Sequence, residues 1–311
     1  MKKTAGIHHI TAIVGHPQKN VDFYAGILGL RLIKKTVNFD DPSTYHLYFG
    51  NEGGEPGTII TFFPWPDASQ GKIGGGQVGV TTYAIPVGAL SYWEERLSKF
   101  SIVFEKTTRF GETYLQFEDY HGLQLELVER ASGELNKWTF GEVTPEVAIK
   151  GFGGSILYSV NPESTIKTLQ ETMGLEKIAE ENDLIRLKSY GEIGNIIDVK
   201  KSSLPYGRMG VGTVHHIAWR AENDQDHLEW QEYVQGKGYG VTEVKDRNYF
   251  NAIYFREYGG ILFEIATDTP GFAHDESYET MGQELKLPAQ YEANRDRLLD
   301  ELIPIEVKEL D

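Results

Sequence analysis

One strand pattern recurs four times along this 311-residue chain, and it limits the architectures open to it more than any other feature. The copies read Gly6-Ile7-His8-His9-Ile10-Thr11-Ala12-Ile13, Gly79-Val80-Thr81-Thr82-Tyr83-Ala84-Ile85-Pro86, Gly153-Gly154-Ser155-Ile156-Leu157-Tyr158-Ser159-Val160 and Val214-His215-His216-Ile217-Ala218-Trp219. A repeat of this kind means that one supersecondary unit was copied and that the copies bury their apolar faces on each other. The runs are apolar and β-compatible, so each reads as a strand. Helix-like stretches follow, and those at 20–30 and 162–175 end at Gly29-Leu30 and Gly174-Leu175, the usual left-handed glycine stop. Further strand-like segments come next, such as Tyr45-His46-Leu47-Tyr48-Phe49 and Ile253-Tyr254-Phe255. Each unit closes on a strand after a turn, as in Asp119-Tyr120-His121-Gly122-Leu123-Gln124-Leu125-Glu126 and Glu257-Tyr258-Gly259-Gly260-Ile261-Leu262-Phe263-Glu264. The pattern predicts an α+β chain of four βαβββ units at 6–65, 78–130, 151–201 and 211–268. These fall into an N-terminal domain (1–135), a linker (136–150), a C-terminal domain (151–268) and an acidic tail (269–311) with a helix-like stretch at 291–302.

The first and last copies carry a histidine doublet, and Glu264 lies on the closing strand after the second. Two imidazoles and one carboxylate on rigid strands make up the ligand set of a facial-triad metal site, which leaves positions open for substrate and oxygen. Strand alternation is expected to send the two histidines of each doublet to opposite faces.

Bulk composition removes other classes of function. A formal charge of −16 argues against nucleic acid or an anionic membrane as partner, because both need a basic patch. No run approaches the roughly 18 apolar residues of a membrane span, and no signal-peptide core precedes the first strand. With no cysteine there is no thiolate ligand, thiol nucleophile or disulfide framework. The compartment expected is the cytoplasm.

The four-unit pattern resembles the vicinal oxygen chelate superfamily, the glyoxalase and extradiol-dioxygenase fold, over nearly the whole chain. The fold implied is two domains of paired, cup-shaped mixed β-sheets. In such a cup the metal ligands come from the first and closing strands of a unit. Unit one offers His9 and Thr61, unit two Thr82 and Glu126, unit three Ser155 and Asp198, and unit four His216 and Glu264. Only units one and four supply imidazole, and pairing them gives His9, His216 and Glu264, with Thr61 where a fourth protein ligand would stand. The second histidine of each doublet is taken because it occupies the position of the single histidine in the superfamily's His-Ile or His-Val strand opening. Units two and three form a degenerate cup without metal. His16, His46, His121, His227 and His274 fall outside the ligand positions.

Longer strings narrow the resemblance: Gly6-Ile7-His8-His9-Ile10-Thr11, Tyr45-His46-Leu47-Tyr48-Phe49, Pro56-Gly57-Thr58-Ile59-Ile60-Thr61-Phe62-Phe63-Pro64 and Gly271-Phe272-Ala273-His274-Asp275-Glu276. They are similar to the hydroquinone-cleaving branch of the superfamily. The resemblance implies an Fe(II)-dependent ring-cleaving dioxygenase, with Mn(II) accommodated by the same ligands His9, His216 and Glu264. Its partners are a small aromatic diol such as methylhydroquinone and O2, with homo-oligomerisation left open. Supporting roles carry over to Tyr254, which bonds the oxygen ligand or acts as acid–base, and to Arg247, which orients substrate or stabilises negative charge. His215 and His8 relay protons. Tyr45, Tyr48, Phe250 and Phe255 are the aromatic residues expected to flank a ring. Two other readings remain: a glyoxalase-like lyase or isomerase using zinc or nickel, against which Thr61 counts, and a non-catalytic small-molecule-sequestering protein, against which the intact triad counts.

Overall fold

The computed structural model describes residues 1–310. Unit one contains β1 (Ile7–Val14), α1 (Pro17–Val21), β2 (Arg31–Val37), β3 (Tyr45–Gly50) and β4 (Ile59–Pro64). Unit two contains β5 (Gln77–Ile85), α2 (Leu90–Lys99), β6 (Phe104–Arg109), β7 (Glu112–Glu118) and β8 (Gln124–Glu129). Unit three contains β9 (Gly151–Tyr158), α3 (Pro162–Lys167), β10 (Glu176–Glu181), β11 (Leu184–Lys188) and β12 (Ile196–Lys200). Unit four contains β13 (Thr213–Ala221), α4 (Asp224–Gly236), β14 (Lys245–Asp246), β15 (Phe250–Arg256) and β16 (Leu262–Pro270), and the tail carries the short α5 (Arg295–Glu301).

Local sequence accounts for the helix ends. Pro17 and Pro162 sit in the first turn, where a missing N–H costs nothing, and the Asn161 side chain caps α3 by accepting from Ser164 N. The helices of units one and three continue into π-helical turns, Asp22–Ile27 and Thr168–Thr172. Both then stop at a left-handed glycine, Gly29 (φ +68°) and Gly174 (φ +78°), as the sequence predicted.

Among the described residues, sixteen strands form two mixed eight-stranded sheets, ordered β14-β15-β16-β13-β1-β4-β3-β2 and β10-β11-β12-β9-β5-β8-β7-β6. At the middle of each, two first strands run antiparallel, β1 with β13 and β5 with β9. Unit one therefore pairs with unit four and unit two with unit three, the pairing on which the ligand set depends. The division into halves 1–135 and 151–268 cuts across both sheets. All four first strands are almost wholly buried, so their apolar patterning does not specify which joins which. The 136–150 segment is packed between the elements: Asn136 Nδ2 donates to Ile149 O, Trp93 Nε1 donates to Val147 O, and Val143 is fully buried.

The tail folds back over unit one. Lys34 on β2, fully buried, pairs with Asp275 at 2.6 Å and with Glu276. Phe272 stacks on Tyr249 and packs on Tyr48, and Tyr291 Oη donates to Phe39 O. No helix among the described residues is long and apolar enough to cross a membrane.

Candidate metal centre

Each histidine doublet sits on a β-bulge. Across β1 and β13, Ile7 faces Trp219 but His9 faces Ala218, so His8 is the extra residue of β1. Thr11 faces His216 but Ala12 faces Val214, which makes His215 the extra residue of β13. A bulge interrupts strand alternation and re-aims a side chain. The expectation that the two histidines of a doublet face opposite ways therefore fails: their rings meet edge to face, with centroids 5.1 Å apart for His8–His9 and 5.0 Å for His215–His216.

The bulges also fix what the outer histidines do. His8 Nε2 lies 3.0 Å from Thr267 O, which can only accept, so that nitrogen carries the proton. His8 Nδ1 is then bare and accepts from His9 Nδ1–H at 2.9 Å, leaving His9 Nε2 with a free lone pair. His215 and His216 make the same Nδ1···Nδ1 contact at 2.8 Å. Support of this kind sets the tautomer and orientation of a metal-binding imidazole.

The atoms that remain converge. His9 Nε2 and His216 Nε2 are 3.3 Å apart, and Glu264 Oε2 lies 3.3 Å and 2.8 Å from them. Ligand atoms about 2.1 Å from a common ion and at right angles to each other are separated by about 3 Å. These spacings match that arrangement. Both oxygens of Glu264 are buried without an aligned hydrogen-bond donor among the described residues, despite the 2.8 Å approach of His216. A buried carboxylate with no aligned donor is expensive unless a cation takes its place in the balance. The donor set thus fits a divalent ion.

Among the described residues, no fourth protein ligand stands opposite. Thr61 Oγ1 is engaged by His46 Nε2 and Thr11 Oγ1, each at 2.8 Å, and His46 Nδ1 meets Tyr48 Oη at 2.9 Å. His46, which the sequence placed outside the ligand positions, lines the site. So do Thr11, Asn38, Phe39, Asp40, Phe63, Arg247, Phe250 and Tyr254, around a cavity of about 40 Å³. A larger surface hollow of about 550 Å³, bounded by Glu52, Lys150, Glu192 and Tyr278 among others, shares none of these residues and holds no such ligand set. Of the aromatic residues expected around a ring, Phe250 packs 4.9 Å from the His9 ring and Tyr48 packs at a tilt on His46, whereas Tyr45 and Phe255 are buried in the hydrophobic core. Arg247 reaches Tyr254 Oη at 3.4 Å and Asp40 at 3.7 Å.

The second sheet shows what became of the other cup. In unit four the ligand His216 lies two residues before Ala218, the partner of Glu264, and in unit one His9 lies two before Thr11, the partner of Thr61. Glu126 pairs with Thr82 and Asp198 with Ile156, so the equivalent ligand positions are Val80 and Gly154. Thr82 and Ser155 are displaced from them because the bulges here fall on Gly79 and Gly153. Guanidinium groups fill this cup: Arg109 clasps Glu126 at 2.6 and 2.9 Å and reaches Asp198 at 3.1 Å, and Arg186 clasps Asp198 at 2.8 Å twice. The sequence reading missed both arginines. They lie on β6 and β11, outside the first and closing strands that were compared for ligands.

Burial sets the protonation states. It pushes His8 and His46 well below the usual imidazole range, with neighbouring histidines adding to it, and takes His215 down to about 3. Burial would raise Glu264, but His9 and His216, when they carry a proton in metal-free protein, outweigh it and hold the carboxyl well below its usual range. Tyr254 is raised by burial and then by Glu264, against Arg247. A buried histidine with a depressed pKa contributes stability above the unfolded value near 6.5 and loses it as pH falls toward the folded value. That window runs from about 6.5 to about 3 for His215 and to about 4 for His121, and His8, His46, His216 and His227 act with the same sign. Asp119, pushed up to about 6 by burial, opposes them between about pH 6 and 4, and Glu257 is shifted the same way. The histidines outnumber these carboxyls, so the melting temperature of metal-free protein is expected to fall steadily from pH 7 to pH 5. A flat profile over that interval would contradict these assignments.

Comparison with known proteins adds to this geometry. The family model described as "Glyoxalase/Bleomycin resistance protein/Dioxygenase superfamily" matches residues 6–127 and 152–265. The chain is 66% identical over 310 residues to "Putative ring-cleaving dioxygenase MhqO" of Bacillus subtilis (strain 168), covering 100% of this chain and 99% of that one. It is 37% identical over 308 residues to "Chlorohydroquinone/hydroquinone 1,2-dioxygenase" of Sphingobium indicum, covering 96% of each. A crystal structure of a "putative dioxygenase" from Bacillus subtilis superposes with a TM-score of 0.99 at 65% identity, covering 100% of both chains.

Proposed function

The chain belongs to the Glyoxalase/Bleomycin resistance protein/Dioxygenase superfamily, and from that premise we propose that it is a ring-cleaving dioxygenase for hydroquinone-type aromatics, using Fe(II) held by His9, His216 and Glu264. The observation that carries this reading is the buried convergence of two imidazole nitrogens and one carboxylate, with no fourth protein ligand among the described residues. Two imidazoles and a carboxylate with open positions suit non-heme iron, and Mn(II) is accommodated by the same donors. The ion, when bound, supplies a redox-active Lewis acid that acidifies a phenolic hydroxyl and links the ring electronically to O2.

The chain's own residues supply the rest. Tyr254 keeps its phenolic proton, so it serves as a hydrogen-bond donor to an oxygen at the site. Arg247, in reach of Tyr254 and lining the same cavity, places a fixed positive charge where negative charge develops on the ring oxygens. His8 and His215 hold the ligand imidazoles through their Nδ1 atoms, and burial keeps both neutral, so a proton accepted at one ring nitrogen has to leave from the other. Phe250 and Phe63 offer apolar faces to a flat ring. A cavity of about 40 Å³ holds about one water, so an aromatic diol enters only as part of its lining moves outward.

A glyoxalase-like reaction is less well supported, because Thr61, engaged by His46 and Thr11, stands where that reading needs a second carboxylate. The test is anaerobic loading with Fe(II), Mn(II) or Zn(II), followed by oxygen uptake with methylhydroquinone, chlorohydroquinone and catechol. Uptake with the two hydroquinones on Fe(II) protein, and none on Zn(II) protein, is the result expected. No uptake with any metal and any diol would sink the oxygenase reading.

A further inference from the structure

The metal cup has a pseudo-twofold relation between its two units that the ligand set alone does not reveal. Register equates Thr61 with Glu264, Thr11 with Ala218 and Tyr48 with Tyr254, since Tyr48 pairs with Thr61 as Tyr254 pairs with Glu264. Unit four contributes the carboxylate, whereas unit one carries a buried hydrogen-bond chain at the same place. Its members are Tyr48 Oη, His46, Thr61 Oγ1 and Thr11 Oγ1, with successive spacings of 2.9, 2.8 and 2.8 Å.

The direction of this chain follows from what each member can donate and accept. Tyr48 is buried, and His46 Nδ1 is the hydrogen-bond partner of its hydroxyl among the described residues. A phenolic proton left without an acceptor in the interior costs the full desolvation of that group, so Tyr48 donates to His46 Nδ1. Neutral His46 then carries its proton on Nε2 and donates to Thr61 Oγ1, and Thr61 in turn donates to Thr11 Oγ1. Thr11 is left with a hydroxyl proton of its own, and it lines the cavity beside His9, His216 and Glu264.

We infer that the unit-one wall is the side on which substrate is held, with the Thr11 hydroxyl donating to an oxygen of the aromatic diol and His46 acting as the positioning residue that fixes this polarity through Thr61. The inference rests on the proposed function for the identity of the ligand, a phenolic or phenolate oxygen. It adds which face of the site receives that oxygen and which buried residue outside the ligand set orients it. Histidine is suited to the place because it accepts on one nitrogen while donating on the other, across a ring that spans two strands.

The test compares His46→Gln, His46→Leu, Thr61→Val and Tyr48→Phe in metal-loaded protein. Gln can still donate to Thr61 from its amide, whereas Leu cannot. Anaerobic calorimetric binding of methylhydroquinone is read beside oxygen uptake, metal content and melting temperature. Expected are about tenfold weaker binding and a raised KM for His46→Leu and Thr61→Val, a smaller loss for Tyr48→Phe, and near wild-type values for His46→Gln, all with metal content unchanged. Wild-type binding and KM in both His46→Leu and Thr61→Val would overturn the inference. Wild-type protein that binds methylhydroquinone yet takes up no oxygen would defeat the proposed reaction, while the binding data would still decide the role of His46. If His46→Leu fails to fold, Thr61→Val and Tyr48→Phe carry the decision. If wild-type protein does not bind the diol at all, both readings fall.

Discussion

Substituting Glu264→Gln is expected to strip the metal and abolish oxygen uptake while leaving the fold in place. The amide keeps the shape of the carboxylate, and Glu264 is fully buried, so packing around it is preserved. What disappears is the only anionic donor in the cluster, one whose oxygens have no aligned hydrogen-bond donor among the described residues. Replacing residues that merely support a ligand costs about 10- to 100-fold in metal affinity or activity, and a ligand itself is expected to exceed that. After dialysis against a chelator, metal analysis should find little bound ion, and oxygen uptake should drop by more than about 100-fold. The melting temperature of metal-free variant should not fall below that of metal-free wild type, because no packing is lost and a buried charge without an aligned donor is removed. A variant that keeps its metal and its uptake would remove Glu264 from the ligand set.

The largest stability effect is expected in the other cup. Arg109→Met leaves Glu126 facing Gln116 and Thr82 with no guanidinium, and takes away one of the two arginines on Asp198. Glu126 is fully buried. Breaking a buried ion pair from one side costs about 3–5 kcal/mol, because an uncompensated charge stays behind. With an unfolding entropy of about 2.1 cal/mol/K per residue, that lowers the melting temperature of a chain this long by roughly 5–8 °C. Adding Glu126→Met should recover much of the loss, since apolar replacement of both partners is often neutral or better. Metal content should not change in either variant, because the degenerate cup contributes nothing to the ligand set. An Arg109→Met protein that melts within a degree of wild type would show that the guanidinium is not what holds this cup together.

The two cups illustrate one solution applied twice. In the first, carboxylate and imidazoles converge on a place suited to a divalent ion; in the second, two carboxylates converge on guanidinium groups. Both bring negative charge into a sheet interior, and both need a cation there. Arg109 over the Tyr114 ring and Arg186 over the Phe110 ring bring the positive charge by covalent attachment, so that cup is complete without any ion.

The α+β architecture of four repeated units and the candidacy of His9, His216 and Glu264 were legible in the sequence, because repeated strand openings and closings can be compared with one another. Glycine stops at Gly29 and Gly174 were legible for the same local reason. The bulges were not. A bulge is defined by two residues on one strand facing one on its partner, so it exists only once β1 has met β13 and β5 has met β9. Its consequences were hidden with it: the contact between neighbouring histidines and the shift of the degenerate ligand positions to Val80 and Gly154. His46 was hidden because its significance lies in the distance from β3 to Thr61 on β4, not in a motif.

By itself, then, the sequence determined what is periodic or local: four βαβββ units, imidazole on the opening strands of the first and last alone, and a carboxylate at the close of the fourth. Tertiary structure decided everything that depends on one strand meeting another. It joined units one and four into one sheet, let bulges turn His8 and His215 onto the ligand rings, put arginines into the second cup, and ran a hydrogen-bond chain from Tyr48 to Thr11. The physical reason is the same in each case. Strand propensity and alternation are properties of a single segment, whereas register, burial and hydrogen-bond direction belong to pairs of segments that the chain separates by tens to hundreds of residues.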